Sequence, residues 1–467
     1  MVSGEEGRSG WNRWGGSGIP VGWLAPSFRS GRAKRAEESH TIAVARLAGL
    51  GPWCRLHAMS EERGDLPGLF VRRLPGRRAV SAGIWLVGGA AHDPAELAGA
   101  THLVEHLTLR RCGGRGRREL ARLVDRLGGG VDAWTGAEGM GVTVQTTADA
   151  LDEALDLLTD AVLEPTFDAA DVELERRVAL AELELARSDP EDRVEEAILR
   201  AAWGPHPLAR PIIGDAESLA RLGPRSLEEH HRRMIRPGGL LAVVCGDVDP
   251  GRVAHRLGRL PLGGSPVAPP LPALRFRAGT VVEPWPAGDQ VYARLAFPGV
   301  GLASNEVTAL LVLNHILGGG ASSRLFQRLR EEEGLTYDVF SGLILRRPGG
   351  LVEIGWACNA TLFERVREVV WEELETLPGT LERREVAVAV ESMSRGLTLD
   401  AEDASARCAM EASELLERGR PFELETAVAE LKSVTVERLR ELAARIFQPG
   451  SVARAVCGPE HVLERVA

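Results

Sequence analysis

Residues 96–109 read Glu96-Leu-Ala-Gly-Ala-Thr-His-Leu-Val-Glu-His-Leu-Thr-Leu109 and contain the pattern His102-Leu-Val-Glu-His106. The run predicts a helix, on which residues four apart share a face, so the two imidazoles can bind one metal ion. Glu105 lies on the same face, where its carboxylate can take a proton from water that the ion activates. This order of residues is the inverse of the common zinc-protease motif. It indicates a catalytic zinc centre, provided that the rest of the chain supplies what such a centre needs.

Such a centre also requires a third ligand from elsewhere in the chain, because a catalytic zinc usually has three protein ligands and one open position. The predicted helix Ala169–Arg187 contains four glutamates: Glu173, Glu175, Glu182 and Glu184. Glu175 and Glu182 lie two turns apart on one face, whereas Glu184 points to another surface. Spacing alone leaves the choice open, because most glutamates on such a helix are only solvated.

The chain divides into two halves of similar pattern. Each half opens with an apolar strand and continues with a helix; the predicted pairs are Ala79–Val87 with Glu96–Arg110, and Val291–Phe297 with Asn305–Leu317. A constant offset of 209 residues places His102 over Leu311 and Glu182 over Glu391. One offset that joins two landmarks predicts an internal duplication whose second copy lost its polar set.

Two segments differ in composition from these halves. Residues 261–278 are rich in proline and glycine, which excludes a central strand or a helix and predicts a linker. Residues 1–58 are rich in Gly, Ser, Arg and Trp without a sustained period of 2 or 3.6, so we expect a mostly disordered extension. The expected domains are therefore 67–260, with the zinc motif, and 279–467, without it.

The overall composition excludes several classes of protein. A net charge of −10 argues against a nucleic-acid binder that relies on a basic surface. No run of 18 apolar residues is present, so we expect no membrane span. The six cysteines lie far apart, which excludes a zinc ribbon and argues against a disulfide scaffold. The 467 residues, 44% of them hydrophobic, suffice for two cores, and we expect a soluble cytoplasmic protein.

With these motifs the chain resembles the pitrilysin-type inverzincins, specifically the half-length branch of mitochondrial processing peptidases and their bacterial homologues. In that family a glutamate ligand follows the zinc motif by about 76 residues, which falls on Glu182. A second glutamate, seven residues earlier, supports the site and falls on Glu175. Three further matches occur in the family's order: Leu127-Gly-Gly-Gly-Val-Asp-Ala-Trp-Thr135, His206-Pro-Leu-Ala-Arg-Pro-Ile-Ile-Gly214 and Leu317-Gly-Gly-Gly-Ala-Ser-Ser-Arg-Leu-Phe-Gln327.

The resemblance implies both a fold and a set of site residues. The implied fold is α+β, with two tandem homologous domains that each consist of a largely antiparallel sheet backed by helices. The implied cofactor is Zn²⁺, bound by His102, His106 and Glu182. Arg330 and Tyr337 match the family's arginine and tyrosine seven residues apart, which are implied to bind substrate and to stabilise the tetrahedral intermediate. A guanidinium and a phenol can indeed both donate hydrogen bonds to a developing oxyanion.

The chain also departs from the family pattern. The strand that contacts the substrate backbone usually reads Asn-Ala-x-Thr, whereas this chain has Asp132-Ala-Trp-Thr135. An ionised carboxylate accepts but does not donate hydrogen bonds, so peptide positioning or substrate choice is expected to differ, whereas zinc binding is not. After the zinc motif the family often has Phe-Lys-Gly-Thr, and the segment Arg110-Arg-Cys-Gly-Gly114 has no explanation at the level of sequence. The adjacent His230 and His231 face different directions on a helix, and we expect them on a solvated surface.

The function implied by the resemblance is that of a zinc-dependent metalloendopeptidase that hydrolyses peptides or unfolded segments. Full-length relatives carry four such domains, with the zinc motif in the first and the Arg/Tyr pair in the last. A two-domain chain therefore implies a homodimer, or a heterodimer with a related subunit, that closes a chamber. The alternative is a non-catalytic structural or partner subunit of the same family. Both a general peptide-degrading role and a peptidase restricted to one precursor fit the sequence.

Overall fold

The computed structural model of the chain describes residues 66–263 and 266–465. The extension predicted to be disordered, residues 1–58, lies outside the described residues. Within the described ranges, every helix is too short or too polar to span a bilayer.

Two five-stranded sheets form the framework of the described residues. The first sheet, in the order β1-β5-β2-β4-β3, contains β1 (Leu69–Arg73), β2 (Ala79–Val87), β3 (Gly130–Thr135), β4 (Gly139–Thr147) and β5 (Leu240–Gly246). The second sheet, in the order β6-β10-β7-β9-β8, contains β6 (Thr280–Pro284), β7 (Gln290–Gly299), β8 (Asp338–Arg346), β9 (Gly349–Asn359) and β10 (Ala453–Gly458). The pairs β1–β5 and β6–β10 are parallel, and the other pairs in both sheets are antiparallel.

Helices back both sheets. The first half contains α1 (Ala100–Thr108), α2 (Arg117–Arg126), α3 (Leu151–Leu163), α4 (Ala169–Arg187), α5 (Pro190–Trp203), α6 (Ala216–Arg221), α7 (Pro224–Met234) and α8 (Pro250–Leu257). The second half contains α9 (Val307–Gly318), α10 (Arg324–Phe326), α11 (Phe363–Thr380), α12 (Arg383–Asp400), α13 (Ala404–Arg418), α14 (Leu424–Lys432), α15 (Val436–Ile446) and α16 (Glu460–Leu463). The α+β class and the two tandem domains with largely antiparallel sheets are therefore confirmed.

The predicted duplication is visible in the strand order. In each sheet the last strand of the half lies between the first strand and the second, and the fourth strand lies between the second and the third. Strand β2 and helix α4 have the bounds predicted from sequence. Strand β2 is mostly apolar, with Ser81 as its one hydroxyl side chain. Helix α4 is long, and it begins after a cap in which Asp168 accepts from Ala170 N at 3.2 Å.

The helix that carries the zinc motif is shorter than predicted. The expected helix Glu96–Arg110 is interrupted by Gly99, whose φ is +88°, and α1 begins at the next residue. A β-carbon on Gly99 would stand 2.2 Å from the carbonyl oxygen of Ile213, and one on Gly214 would stand 2.3 Å from that of Ala98. Two backbones thus touch where only glycine fits, and this contact packs the segment ending at Gly214 against the start of α1.

Each half of the chain contributes one helix that packs on the sheet of the other half. Successive residues of β5 point to opposite faces of the sheet: Leu240, Ala242 and Val244 belong to the core of the first half, whereas Leu241, Val243 and Cys245 pack against α13 of the second half. Conversely, α5 of the first half covers the outer face of the second sheet, with Val194, Ala197, Ile198 and Ala201 packed against Ala296, Leu351, Ala453 and Ala455. The outer face of each sheet is therefore covered by a helix of the other half.

A buried ion-pair network ties α13 to the first sheet. Arg72 on β1 donates from Nε to Oε1 of Glu411 at 2.7 Å, and Arg407 lies 3.1 Å from the same carboxylate. The Glu411 side chain is fully buried. Burial raises the pKa of this carboxyl above its usual value, while the two guanidiniums act in the opposite direction.

Candidate metal centre

Three potential ligands from α1 and α4 converge at one point. The Nε2 atoms of His102 and His106 lie 3.7 Å and 3.6 Å from Oε2 of Glu182. Two atoms bound to one zinc at 2.0–2.1 Å in tetrahedral geometry lie about 3.4 Å apart, so this group fits zinc with little adjustment. Within residues 66–263 and 266–465 it is the one group of three or more His, Cys, Asp or Glu side chains close enough to hold an ion.

The geometry of α1 explains why its polar residues meet this point. Leu103, Val104 and Leu107 are fully buried in the core of the first half, which turns the opposite side of the helix toward α4. Glu105 lies on this side and is partly exposed. Two imidazole nitrogens, one carboxylate oxygen and a further carboxylate outside this group are what a hydrolytic zinc centre requires, so the arrangement can in principle hold zinc and activate water.

The second predicted glutamate of α4 lies behind the ligands. Glu175 Oε2 is 3.1 Å from Nδ1 of His106, and the carboxylate is 10% exposed. A hydrogen bond donated by Nδ1 fixes the ring and leaves the Nε2 lone pair for a metal. The remaining candidates of this helix point elsewhere, since Glu184 is exposed and Glu173 is exposed and paired with Arg176.

A buried polar group at the start of α1 was not anticipated. Thr101, which precedes the first histidine of the motif, donates from Oγ1 to Oδ1 of Asp93 at 2.5 Å and lies 2.9 Å from Nε2 of His230. The expectation that His230 and His231 lie on a solvated surface is therefore wrong. Both are buried, His231 with its Nε2 2.9 Å from the carbonyl oxygen of Val162. Burial lowers the pKa of His231. The adjacent-histidine pattern carries no signal for this packing.

Arg330 and Tyr337 contact each other in the second half. The guanidinium of Arg330 lies 4.4 Å from the centre of the Tyr337 ring and 4.8 Å from that of Phe326. Tyr337 is 75% exposed, and it immediately precedes β8, one of the two edge strands of the second sheet. The pair thus belongs to the second half, whereas the converging ligands belong to the first.

The positions of the second half that lie 209 residues after the proposed ligands differ from them in part. Helix α9 carries Leu311 and His315, and Glu391 on α12 pairs at the surface with Arg395. Burial lowers the pKa of His315. At the predicted offset, the residue types of His106 and Glu182 thus recur as His315 and Glu391, whereas that of His102 is replaced by Leu311.

Comparison with known proteins agrees with this geometry. The family model described as "Insulinase (Peptidase family M16)" matches residues 70–216, and that described as "Peptidase M16 inactive domain" matches residues 221–393. A protein named as an uncharacterized zinc protease of Mycobacterium tuberculosis (strain ATCC 25618 / H37Rv) is 33% identical over 414 residues, which cover 86% of this chain and 94% of that protein. The mitochondrial-processing peptidase subunit beta of Caenorhabditis elegans is 23% identical over 402 residues, covering 82% of this chain and 86% of that subunit.

Solved structures support the fold. A peptidase M16 inactive domain from Pseudomonas fluorescens has a TM-score of 0.77 at 20% identity, covering 85% of this chain and 97% of that chain. A protease from Helicobacter pylori has a TM-score of 0.77 at 19% identity, covering 84% and 98%. The family models and the relative at 33% identity together show that the chain belongs to peptidase family M16, the zinc-dependent insulinase family, and that it fits the half-length branch of that family.

Proposed function

We propose that this protein is a zinc metalloendopeptidase that hydrolyses peptides or unfolded segments. The observation that carries the proposal is the convergence of His102, His106 and Glu182 on one point with ligand-like spacing, next to Glu105. The alternative, a non-catalytic structural or partner subunit, has no need for zinc ligands or for a base beside them. The presence of all four residues therefore favours the peptidase.

Each residue has a separate task in this proposal. The three ligands hold the zinc, which when bound acts as a Lewis acid and lowers the pKa of water to about 7. Glu105 takes the proton of the attacking water and delivers it to the amine that leaves. Glu175 keeps the ring of His106 in the orientation needed by a ligand. Arg330 and Tyr337 donate hydrogen bonds to the oxygen that becomes negatively charged.

The zinc ligands can be tested by metal content. We expect wild-type protein to bind about one zinc per chain, and Glu182→Gln to weaken zinc binding by more than the roughly 10- to 100-fold that loss of a supporting residue costs. Glu184→Gln is the matched control, because Glu184 is exposed and lies on the same helix. Zinc affinity is measured by competition with a chromophoric chelator. Equal affinity in the two variants would contradict the assignment of Glu182.

The position of the Arg/Tyr pair motivates a proposal about assembly. Tyr337 is largely exposed although its ring is stacked on a guanidinium, and the pair and the zinc ligands lie on different halves of the chain. We infer that two copies form a C2 homodimer in which each zinc site faces Arg330 and Tyr337 of the other copy. A chamber closed in this way would admit extended peptides and exclude folded proteins.

Mixing two inactive variants tests this arrangement. Glu105→Gln protein and Arg330→Ala protein are combined under conditions that allow subunit exchange. Random exchange makes half of the dimers mixed, each with one working site of two, so about a quarter of the wild-type activity should return. A mixture of Glu105→Gln with Glu182→Gln is the control and should stay inactive, because both changes affect the same half. If verified exchange restores nothing in the first mixture, the pair serves its own chain.

A further inference from the structure

Three charged side chains, on α4 and just beyond the end of α1, form a hydrogen-bonded cluster that is largely buried beside the proposed ligands. Arg110, Asp171 and Glu175 are exposed by only 11%, 7% and 10%. Arg110 donates from Nε to Oδ1 of Asp171 at 2.8 Å and from Nη1 to Oε1 of Glu175. The other oxygen of Glu175 faces Nδ1 of His106. The carboxylate of Glu175 is therefore held from two sides.

Residues of two segments form this cluster. Asp171 and Glu175 are four residues apart on α4 and share a face of that helix. His106 lies in the last turn of α1, and Arg110 lies two residues beyond the end of that helix, in a turn in which its backbone amide donates to the carbonyl oxygen of Leu107 at 3.1 Å. His106 and Arg110 thus both contact Glu175. Arg110 belongs to the basic segment in which the chain departs from the family pattern, and the structure gives that departure a physical role.

The geometry says what Arg110 contributes. A metal-binding histidine depends on the group that bonds its other ring nitrogen, because that bond fixes the tautomer and the ring orientation. A glutamate held by the histidine alone could rotate away from it, whereas a charge-assisted bond from a guanidinium fixes the carboxylate plane. A buried carboxylate without a cationic partner is also costly. Arg110 supplies both the orientation and the compensating charge.

We propose that Arg110 is a positioning residue of the zinc site, which fixes Glu175 and, through Glu175, the ring of His106. The inference rests on the proposed function, because it assumes that His106 binds zinc. The neighbouring Arg111 offers a matched comparison. Its Nε lies 2.7 Å from Oδ2 of Asp171, but its side chain is 43% exposed and it contacts Asp171 rather than Glu175.

The test measures zinc affinity of the full chain by chelator competition, without reference to activity. Arg110→Met should weaken zinc binding by about 10- to 100-fold, whereas Arg111→Met should leave it nearly unchanged. Arg110→Lys keeps the charge but can bond only one carboxylate well, so its zinc affinity should lie between those of the two methionine variants. If Arg110→Met proves unfolded by circular dichroism, the comparison of Arg110→Lys with Arg111→Lys replaces it.

A double variant separates positioning from general support. If Arg110 acts through Glu175, then Arg110→Met added to Glu175→Gln should weaken zinc binding no further than Glu175→Gln alone. Two results would overturn the inference and leave the proposed function standing. One is a double variant whose loss of zinc affinity equals the sum of the two single losses. The other is unchanged zinc affinity in Arg110→Met protein while Glu175→Gln protein binds zinc more weakly. Wild-type protein that binds no zinc would overturn both.

Discussion

Glu105→Gln protein is expected to keep its fold and its zinc and to lose about 10²- to 10⁴-fold in the rate of peptide hydrolysis. The amide is close in size to the carboxylate but cannot accept the proton of the attacking water. Because Glu105 is not one of the three converging side chains, zinc binding should not depend on it.

The measurement combines zinc content with cleavage of a fluorogenic peptide. Glu96→Gln serves as the control, since Glu96 is an exposed glutamate in the turn that precedes α1, and it should retain wild-type activity. Loss of zinc in Glu105→Gln protein would identify Glu105 as a ligand and contradict its role as a base. Hydrolysis within tenfold of wild type would exclude that role altogether.

Glu411→Gln is expected to have the largest effect on stability, a loss of about 3–5 kcal/mol in the free energy of unfolding. Arg72 and Arg407 both bind this carboxylate at the buried contact between α13 and the first sheet. Without the negative charge, two buried guanidiniums face a neutral amide. Arg72 keeps its contact with Glu423 at 3.0 Å, but the carboxylate that Arg72 and Arg407 share no longer offsets the cost of their desolvation.

A surface pair with the same spacing provides the control. Glu411 and Arg407 are four residues apart on α13, and Glu391 and Arg395 are four residues apart on α12, where both side chains are exposed. Glu391→Gln should change stability by at most about 0.5 kcal/mol. Both variants are compared with wild type by denaturant unfolding followed by circular dichroism. Similar midpoints for the two variants would show that the buried pair adds no more than the exposed one.

Local patterns predicted the elements that are regular over a long stretch. Strand β2, which is mostly apolar, and helix α4, which is 19 residues long, have their predicted bounds. The start of α1 could not be predicted in this way. The break at Gly99 follows from a backbone contact with Ile213, which lies more than a hundred residues away in sequence.

In the candidate site, too, residues within one helix could be predicted from spacing, whereas residues brought together from different elements could not. The histidines and Glu105 follow from spacing within a single turn or two of helix, whereas the choice of Glu182 over its neighbours depended on the family resemblance. The structure brings Glu182 to the histidines, but its identity as a ligand stays a prediction. Arg110 and Asp93 were missed because their partners come from other elements. A signal for Arg110 was present in the repeated four-residue spacing, from His106 to Arg110 and from Asp171 to Glu175.

Because α5 and α13 each pack on the sheet of the other half, the order of synthesis on the ribosome affects how the first half folds. The outer face of the first sheet, which includes Phe70, Trp85 and Val243, is covered by a helix that ends only at Arg418. Until that helix has emerged, the nascent first half presents an uncovered apolar surface, which is prone to aggregation. During synthesis, the first half therefore leaves this face uncovered until residue 418 has been made, and we expect a product truncated at the linker to aggregate.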